Sequence, residues 1–349
     1  MMRRISQSEW LADREQFDRA VAATPEISRF CSSSIWTAAA RTHLLGLGEE
    51  EAADDPDAAS LRLPAAAIID DTAIWRDGNE GADWFLFGRS PWGYWQPFES
   101  AWMFACPVIG PDPERSLAQL REIVNADPDL TPGFALGGVP VDGRLHVALR
   151  RQQETGNLHQ YREFPATDSL CLDLKNGVDA WLGRRSRKFR RSLQAAERRC
   201  REAGLEIETI EEGQVADPTL FDRLLALQPR TAKWASGTDI FQVARYRSFY
   251  RQVFEELNRS GRLRLSFATR DGEDVAYIFG GIFAGEYRGL QMSYAEEVSA
   301  LGVGNWLQME NLSRRAVEGV TTYDLGMDSD YKQRWADEKR SRLIAYVVP

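Results

Sequence analysis

Between Arg262 and Trp335 the hydrophobic period changes from two to about 3.6 residues, and that change limits the architectures open to the chain. Leu263, Leu265 and Phe267 alternate with Arg262, Arg264 and Ser266, as in a strand with one buried face. Asp271-Gly272 is a hairpin signal, Val275 to Phe283 makes the return strand, and Gly285-Glu286 turns the chain into a third strand over Tyr287 to Tyr294. The expected product is an antiparallel meander. Trp306, Met309, Leu312, Ala316 and Val317 then recur at three- and four-residue spacing, so a helix begins near Gly304, and a further strand follows over Thr321 to Leu325.

Ahead of that helix stands Ser299-Ala-Leu-Gly302-Val303-Gly304-Asn305. Two glycines let the backbone turn tightly and present bare N–H groups, and a helix N-terminus adds unsatisfied donors and the positive end of the dipole. The loop reads either as a phosphate cradle or as a plain turn and cap.

The order strand, strand, strand, glycine loop, helix, strand resembles the acyl-CoA-binding half of the GNAT acyltransferases, whose loop reads Gln/Arg-x-x-Gly-x-Gly/Ala. Here both glycines stand, and Ser299 replaces the leading Arg or Gln. Tyr323-Asp324-Leu-Gly326-Met-Asp328-Ser-Asp330-Tyr331-Lys332-Gln-Arg334-Trp335 resembles the ending of the FemAB-like and CelD-like branch, associated with exopolysaccharide and the cell envelope, and the run from Ser186 to Arg191 matches its basic helix. The resemblance covers residues 165–349 well and 1–164 loosely. It implies an α/β (α+β) fold of two GNAT-like domains, each a mixed, mostly antiparallel twisted sheet flanked by helices. Residues 1–164 would form a degenerate, acceptor-binding domain and 165–349 the acyltransferase domain.

The chain of 349 residues suits two domains of ordinary size. Hydrophobic residues at 43% and charged residues at 27% are those of a globular protein. No apolar run is long enough to span a membrane and no apolar leader follows the first charged residues, so a cytoplasmic location is expected. Cys31, Cys106, Cys171 and Cys200 have no metal or disulfide spacing, and the three histidines supply little for a triad or a metal site. No metal is expected. A net charge of −9 argues against nucleic-acid binding by the whole surface. The charge is uneven, with an acidic loop at residues 49–57 and a basic helix later.

From the N-terminus, helices are expected over residues 6–24 and Phe30 to Leu47, strands over Leu61 to Ile69 and Ile74 to Arg76, a helix over Pro111 to Val124, and strands over 133–137 and 144–149. Residues 151–166 are polar and read as the interdomain connection. Nine aromatics fall between Trp84 and Phe104, broken by Pro91, Gly93 and Pro97. They form either core strands or an acceptor cleft anchored by Arg89, Gln96 and Glu99. After a strand at Leu170 to Leu174, one helical stripe runs through Val178, Leu182, Ser186, Phe189, Leu193, Ala196, Cys200 and Ala203. Arg187, Lys188 and Arg191 lie off that stripe, either as a solvated face or as contacts for an anion. A strand over Leu205 to Ile210, a helix over Pro218 to Leu227 and a long helix over Ile240 to Leu257 complete the reading. Between the last two, either Lys233 and Trp234 touch the acceptor or Trp234 only plugs the sheet.

Acyl transfer needs a donor pocket, an oxyanion site, a base for the nucleophile and a proton source for the leaving group. The resemblance implies direct transfer from acetyl-CoA or another acyl-CoA as co-substrate. Ser299, Gly302, Val303, Gly304 and Asn305 would hold the cofactor, and backbone N–H groups where two central strands splay, near Gln291 to Tyr294, would serve the oxyanion. Asp324 and Asp328 are the carboxylate candidates, Tyr331 the proton donor to sulfur, and Lys332 the partner of a phosphate or developing negative charge. Arg187, Lys188, Arg191, Lys233, Trp234 and Gln291 are the substrate-binding candidates. The acceptor would be a carbohydrate, a cell-envelope or an amino compound. The alternatives are a Fem-type enzyme using aminoacyl-tRNA, or a non-catalytic module that binds a nucleotide-linked envelope precursor, the reading that Ser299 favours.

Overall fold

The computed structural model describes residues 2–45, 72–78, 82–127, 130, 133–210, 217 and 219–349. The acidic loop at residues 49–57 and the strand expected over Leu61 to Ile69 lie outside the described residues. The chain divides into two units, one of Met1–Asp168 with Arg340–Pro349 and one of Ser169–Lys339. Each is a sheet flanked by helices, the expected mixed α/β class.

The first unit carries β1 (Met2–Ile5), α1 (Gln7–Ala12), α2 (Arg14–Ala23), α3 (Arg29–Ser32), α4 (Ser34–His43), β2 (Thr72–Asp77), β3 (Trp84–Arg89), β4 (Trp95–Gln96), β5 (Val108–Ile109), α5 (Pro113–Ala126), β6 (Phe134–Pro140), α6 (Arg144–Glu154) and β7 (Gln160–Pro165). Its sheet runs β1-β2-β3-β4-β6-β15-β7, with β5 on β3 and with β15 (Arg342–Val348) returning from the chain end. The unit assigned to residues 165–349 on sequence grounds therefore gives up its last strand, because β15 pairs antiparallel with both β6 and β7. Two helices read as continuous are broken, at Asp13 and at Ser33, each of which stands between helices as a cap.

Residues 144–149, expected as a strand, begin α6. Leu145, His146, Ala148 and Leu149 are buried while Val147 is exposed, which is a helical spacing that a short apolar run hides. The polar segment 151–166 is not a plain connection: it holds the end of α6 and all of β7.

The second unit carries β8 (Ser169–Asp173), α7 (Gly177–Gly183), α8 (Arg187–Glu202), β9 (Leu205–Ile210), α9 (Leu220–Leu227), α10 (Ala232–Ala235), α11 (Ala244–Arg259), β10 (Leu263–Arg270), β11 (Glu273–Phe283), β12 (Glu286–Tyr294), α12 (Val303–Val317), β13 (Thr322–Met327), α13 (Asp330–Gln333) and β14 (Glu338–Arg340). The sheet order is β14-β8-β13-β12-β11-β10-β9. The meander of β10, β11 and β12 stands, but β10 is buried on both faces rather than one: Arg264 and Ser266 are buried along with Leu263, Leu265 and Phe267, and Arg264 pairs with Glu318 at 2.9 Å. The stripe from Val178 to Cys200 is two helices rather than one, because Ser186 turns extended and its side chain caps α8 by accepting from Phe189 N at 3.2 Å. The helix expected over Ile240 to Leu257 likewise opens with a separate 3-10 turn, Ile240–Gln242, before α11.

Trp335 closes the core. It stacks on Trp181 at 5.6 Å and meets Phe189 edge-on at 5.3 Å, within a cluster that includes Leu172, Leu312 and Tyr323. Burial of rings this large contributes about 1.5–3 kcal/mol each.

Candidate active site

The site starts from a defect in strand pairing. β12 and β13 run parallel and pair at Glu286–Thr322, Tyr287–Tyr323 and Arg288–Asp324, where their ladder ends. Each strand carries an irregularity beside that point. On β12, Gly289 faces Gly280 and Gln291 faces Phe279, so Leu290 is an extra residue, a bulge that bends the strand. On β13, pairing with β8 skips between Asp324 and Met327, at Gly326 with φ 80°. The strands part there, and their backbone groups line an opening instead of a ladder. Gly280 is required at the bulge: a Cβ there would fall 2.2 Å from Arg288 O.

At the root of the opening Arg288 Nη1 donates to Asp324 Oδ2 at 2.5 Å, and both residues are buried. Asp324 Oδ1 accepts from Gly326 N at 2.7 Å. Both carboxylate oxygens are thus engaged, one by a cation and one by the backbone of the bulge. Sequence reasoning named Asp324 but not Arg288, whose signal was only a charged residue in a strand flanked by Tyr287 and Gly289.

Two lysines sit on the carbonyls of the diverging strands. Lys332 Nζ donates to Met327 O at 3.1 Å on the β13 side, and Lys233 Nζ donates to Met292 O at 2.8 Å on the β12 side. Loss of water pushes the Lys332 amine down to about 8, helped by the Arg288 and Lys233 cations and opposed by Asp324 and Asp328. Lys233 keeps an exposed surface, yet desolvation of its ammonium also lowers its pKa, against the pull of Asp239. Asp239 is a residue the sequence reading passed over. It is buried, accepts from Phe241 N at 2.9 Å, and burial raises its pKa.

The glycine loop meets the C-terminal motif. Gly302 adopts φ 79° and its N–H donates to Ser299 O at 3.0 Å; an added Cβ would lie 3.0 Å from Ala196 Cβ on α8. Val303 and Gly304 are buried, and Asn305 N turns back to Gly302 O at 3.0 Å. A Cβ at Gly304 would meet the Tyr294 ring at 3.1 Å, and Tyr331 Oη donates to Gly304 O at 3.4 Å. Burial holds the Tyr331 phenol above its ordinary pKa. Asp328 sits in the turn after β13, accepting from Gln333 Nε2 at 2.9 Å with Lys339 at 3.3 Å; these contacts, Gln333 first, hold its carboxyl below the usual range.

Asp324, Tyr331, Lys332, Lys233, Gln291 and Gly304 therefore gather around the parted strands. Gln291 is half-buried just past the bulge, and Trp234 is half-buried beside Lys233, its N–H donating to Thr231 Oγ1 at 3.2 Å. Arg187, Lys188 and Arg191 do not join them: all three lie exposed on the first turns of α8. The same helix further on supports the loop, where Arg199 Nε donates to Leu301 O at 3.2 Å.

In the first unit the aromatic segment is mostly core. Trp84, Phe85, Phe87, Trp95, Phe98 and Phe104 are buried, and Trp92 is the exposed exception at 59%. Glu99 is no cleft anchor. It is fully buried and accepts the backbone N–H groups of Trp102 at 2.6 Å and Phe104 at 2.8 Å, with Met103 and Ala105 further off. Gln96 is buried as well, and the Arg89 guanidinium lies over the Trp95 ring at 5.8 Å.

Residues 187–333 match the family model described as an acetyltransferase (GNAT) domain. No curated protein matches the chain. Among solved structures the chain is similar to FemX, with 12% identity, a TM-score of 0.67, and 100% of this chain and 97% of that one covered. It is also similar to a conserved protein of unknown function from Bacteroides thetaiotaomicron, with 14% identity, a TM-score of 0.59 and coverage of 100% and 99%. L-PGS from Bacillus licheniformis aligns at 14% identity and a TM-score of 0.53 over 84% of this chain and 92% of that one. These likenesses show the fold. No helix among the described residues is long and apolar enough to cross a membrane.

Proposed function

We propose that the second unit transfers an acyl group directly from an activated donor to an amine or hydroxyl of a carbohydrate, cell-envelope or amino-compound acceptor in the cytoplasm. The observation that carries this reading is the parting of β12 and β13 past Arg288 and Asp324, inside the segment that matches the GNAT domain. An opening between parallel strands offers a donor chain two rows of backbone partners, and N–H groups beyond the bulge, near Gln291, suit a developing oxyanion. Asp324, held by Arg288 and Gly326 N, serves to orient Arg288 rather than to take a proton.

Acyl-CoA is the first-choice donor, with the loop from Ser299 to Asn305 beside its phosphates. A second reading, aminoacyl-tRNA, is favoured by two observations: Arg187, Lys188 and Arg191 are exposed on α8, and the glycine loop opens on Ser299 with the Tyr294 ring packed against Gly304.

Calorimetry with acetyl-CoA, longer acyl-CoAs and coenzyme A tests the donor. Gly289→Leu is the blocking variant, since a Cβ there has 3.5 Å to Asp324 O and the side chain would fill the opening. Micromolar binding that the variant loses supports acyl-CoA in the cleft. Absence of binding to every CoA species would remove that donor and leave aminoacyl-tRNA.

A further inference from the structure

We infer that Lys332, not Tyr331, protonates the leaving group of the donor, with Lys233 and Arg288 as neighbouring cations that stabilise the charge developing there. The inference rests on the acyl-transfer reading and adds to it a general acid.

Two hydroxyl or ammonium groups of the C-terminal motif compete for the role, and their contacts separate them. Tyr331 Oη commits its single proton to Gly304 O, and its ring packs against Trp335 with centroids 6.2 Å apart. A phenol in that setting is a reluctant acid, because burial penalises the phenolate it would leave behind. Lys332 Nζ instead sits at Met327 O, where β13 leaves the sheet. One of its three N–H groups is committed there, which leaves others to donate.

The surroundings of Lys332 come from every neighbouring element. β12 supplies Arg288, β13 supplies Asp324, the turn after β13 supplies Asp328, and α10 supplies Lys233. Asp324 is bound to Arg288, and Asp328 to Gln333 and Lys339. Lys332 thus faces two cations, while each nearby carboxylate has another partner. Burial of the ammonium first, and then this balance of charge, favours loss of a proton from Lys332, and the cations stabilise negative charge that appears beside it. A thiolate or alkoxide leaving an acyl group is such a charge.

In this step the nucleophile's N or O forms a bond to the acyl carbon, the bond from that carbon to sulfur or oxygen breaks, and its electron pair goes to the leaving atom. A Lys332 proton passes to that atom. The proton given up by the nucleophile restores the ammonium, directly or through water, so no further reagent is consumed.

Dependence on the leaving group separates an acid from a structural lysine. The test uses hydroxylamine as nucleophile and two acetyl donors: acetyl-CoA, whose thiolate needs a proton, and p-nitrophenyl acetate, whose phenolate does not. Lys332→Arg keeps the cation but removes the readily released proton. Expected losses are about 100-fold or more with acetyl-CoA and less than about threefold with the nitrophenyl ester. In the unmodified chain kcat with acetyl-CoA should fall above pH about 8, since the acid must be protonated. Lys233→Met, which removes one neighbouring cation, should move that limb upward, and Tyr331→Phe should leave it in place.

Equal losses with both donors in Lys332→Arg, or disappearance of the alkaline limb in Tyr331→Phe, would overturn the assignment while leaving acyl transfer intact. Failure of the unmodified chain to transfer from either donor would overturn the acyl-transfer reading and the assignment with it.

Discussion

Arg288 and Asp324 are the last partners of two parallel strands that then part, and their side chains meet across that boundary at 2.5 Å. The pair does two things at once. It neutralises a buried guanidinium, and through Asp324 Oδ1 it fixes the N–H of Gly326 in the β13 bulge.

Asp324→Asn should therefore destabilise the second unit strongly. The amide keeps one acceptor but leaves Arg288 buried without its counter-charge, a change that costs about 3–5 kcal/mol. Urea unfolding of the full chain, followed by hydrogen exchange of the backbone amides of residues 169–339, reads it. The double change Arg288→Met with Asp324→Leu should recover much of the loss, since an apolar pair removes both charges together.

Gly280→Ala tests whether the bulge opens the cleft. The added methyl would fall 2.2 Å from Arg288 O and 2.5 Å from Tyr287 Oη, so β11 and β12 must move apart. Overpacking of this kind costs about 1–3 kcal/mol. Loss of donor binding beyond what the stability change explains is the expected result. Unchanged binding at reduced stability would mean that the opening does not depend on the bulge.

Glu163 gives the first unit a pH dependence. Its carboxylate accepts from Arg150 Nε at 3.0 Å and Nη2 at 3.2 Å, from Tyr161 Oη at 2.9 Å, and lies 3.0 Å from His146 Nε2. The backbone N–H of Asp142 donates to His146 Nδ1 at 2.9 Å, so Nε2 carries the proton that Glu163 receives. These donors, Arg150 first, hold the carboxyl down at about 2. A folded-state pKa below the unfolded value means that the contribution is present above the ordinary glutamate pKa and disappears as pH falls toward 2. Glu163→Gln should lower Tm at pH 7, and the gap to the unmodified chain should narrow steadily below pH about 4.3. A gap independent of pH would show that the carboxylate's charge plays no part.

Much of this architecture is written locally. The meander from Leu263 to Tyr294 and the helix after Gly304 follow from turn signals and periodicity, although β10 and β11 turn out to be buried on both faces, which the alternation of Arg264 and Ser266 with apolar residues did not show. The cleft is not written locally, since it arises from one extra residue, Leu290, whose effect depends on which strand it faces. The basic helix was visible, but its break at Ser186 was hidden by apolar residues that continue the same stripe on both sides. Sequence spacing placed Lys332 and Lys233 about a hundred positions apart with no sign that both cap the same pair of diverging strands. β15 escaped for a related reason: its partners β6 and β7 lie in the other half of the sequence. Pairing with strands so distant in sequence leaves a weak local trace.

At the start of α8, stability and binding should respond with opposite signs. Arg187, Lys188 and Arg191 stand in the first turns of a helix, where the dipole is positive, and all three are exposed. Arg187 and Lys188, in the first turn, oppose the dipole by about 0.3–1 kcal/mol each, so the triple change to Ser should leave Tm equal or slightly higher. If these side chains meet a polyanionic donor, the same triple variant should bind a minihelix RNA with lower affinity and a shallower dependence on salt, the slope falling by roughly 0.7–0.9 for each phosphate that is no longer neutralised. With acyl-CoA as donor, affinity for acetyl-CoA should instead fall modestly, and RNA binding should be weak in both proteins. A rise in stability with a fall in affinity for one anion identifies these cations as ligand contacts; a drop in stability would mean that they hold the fold instead.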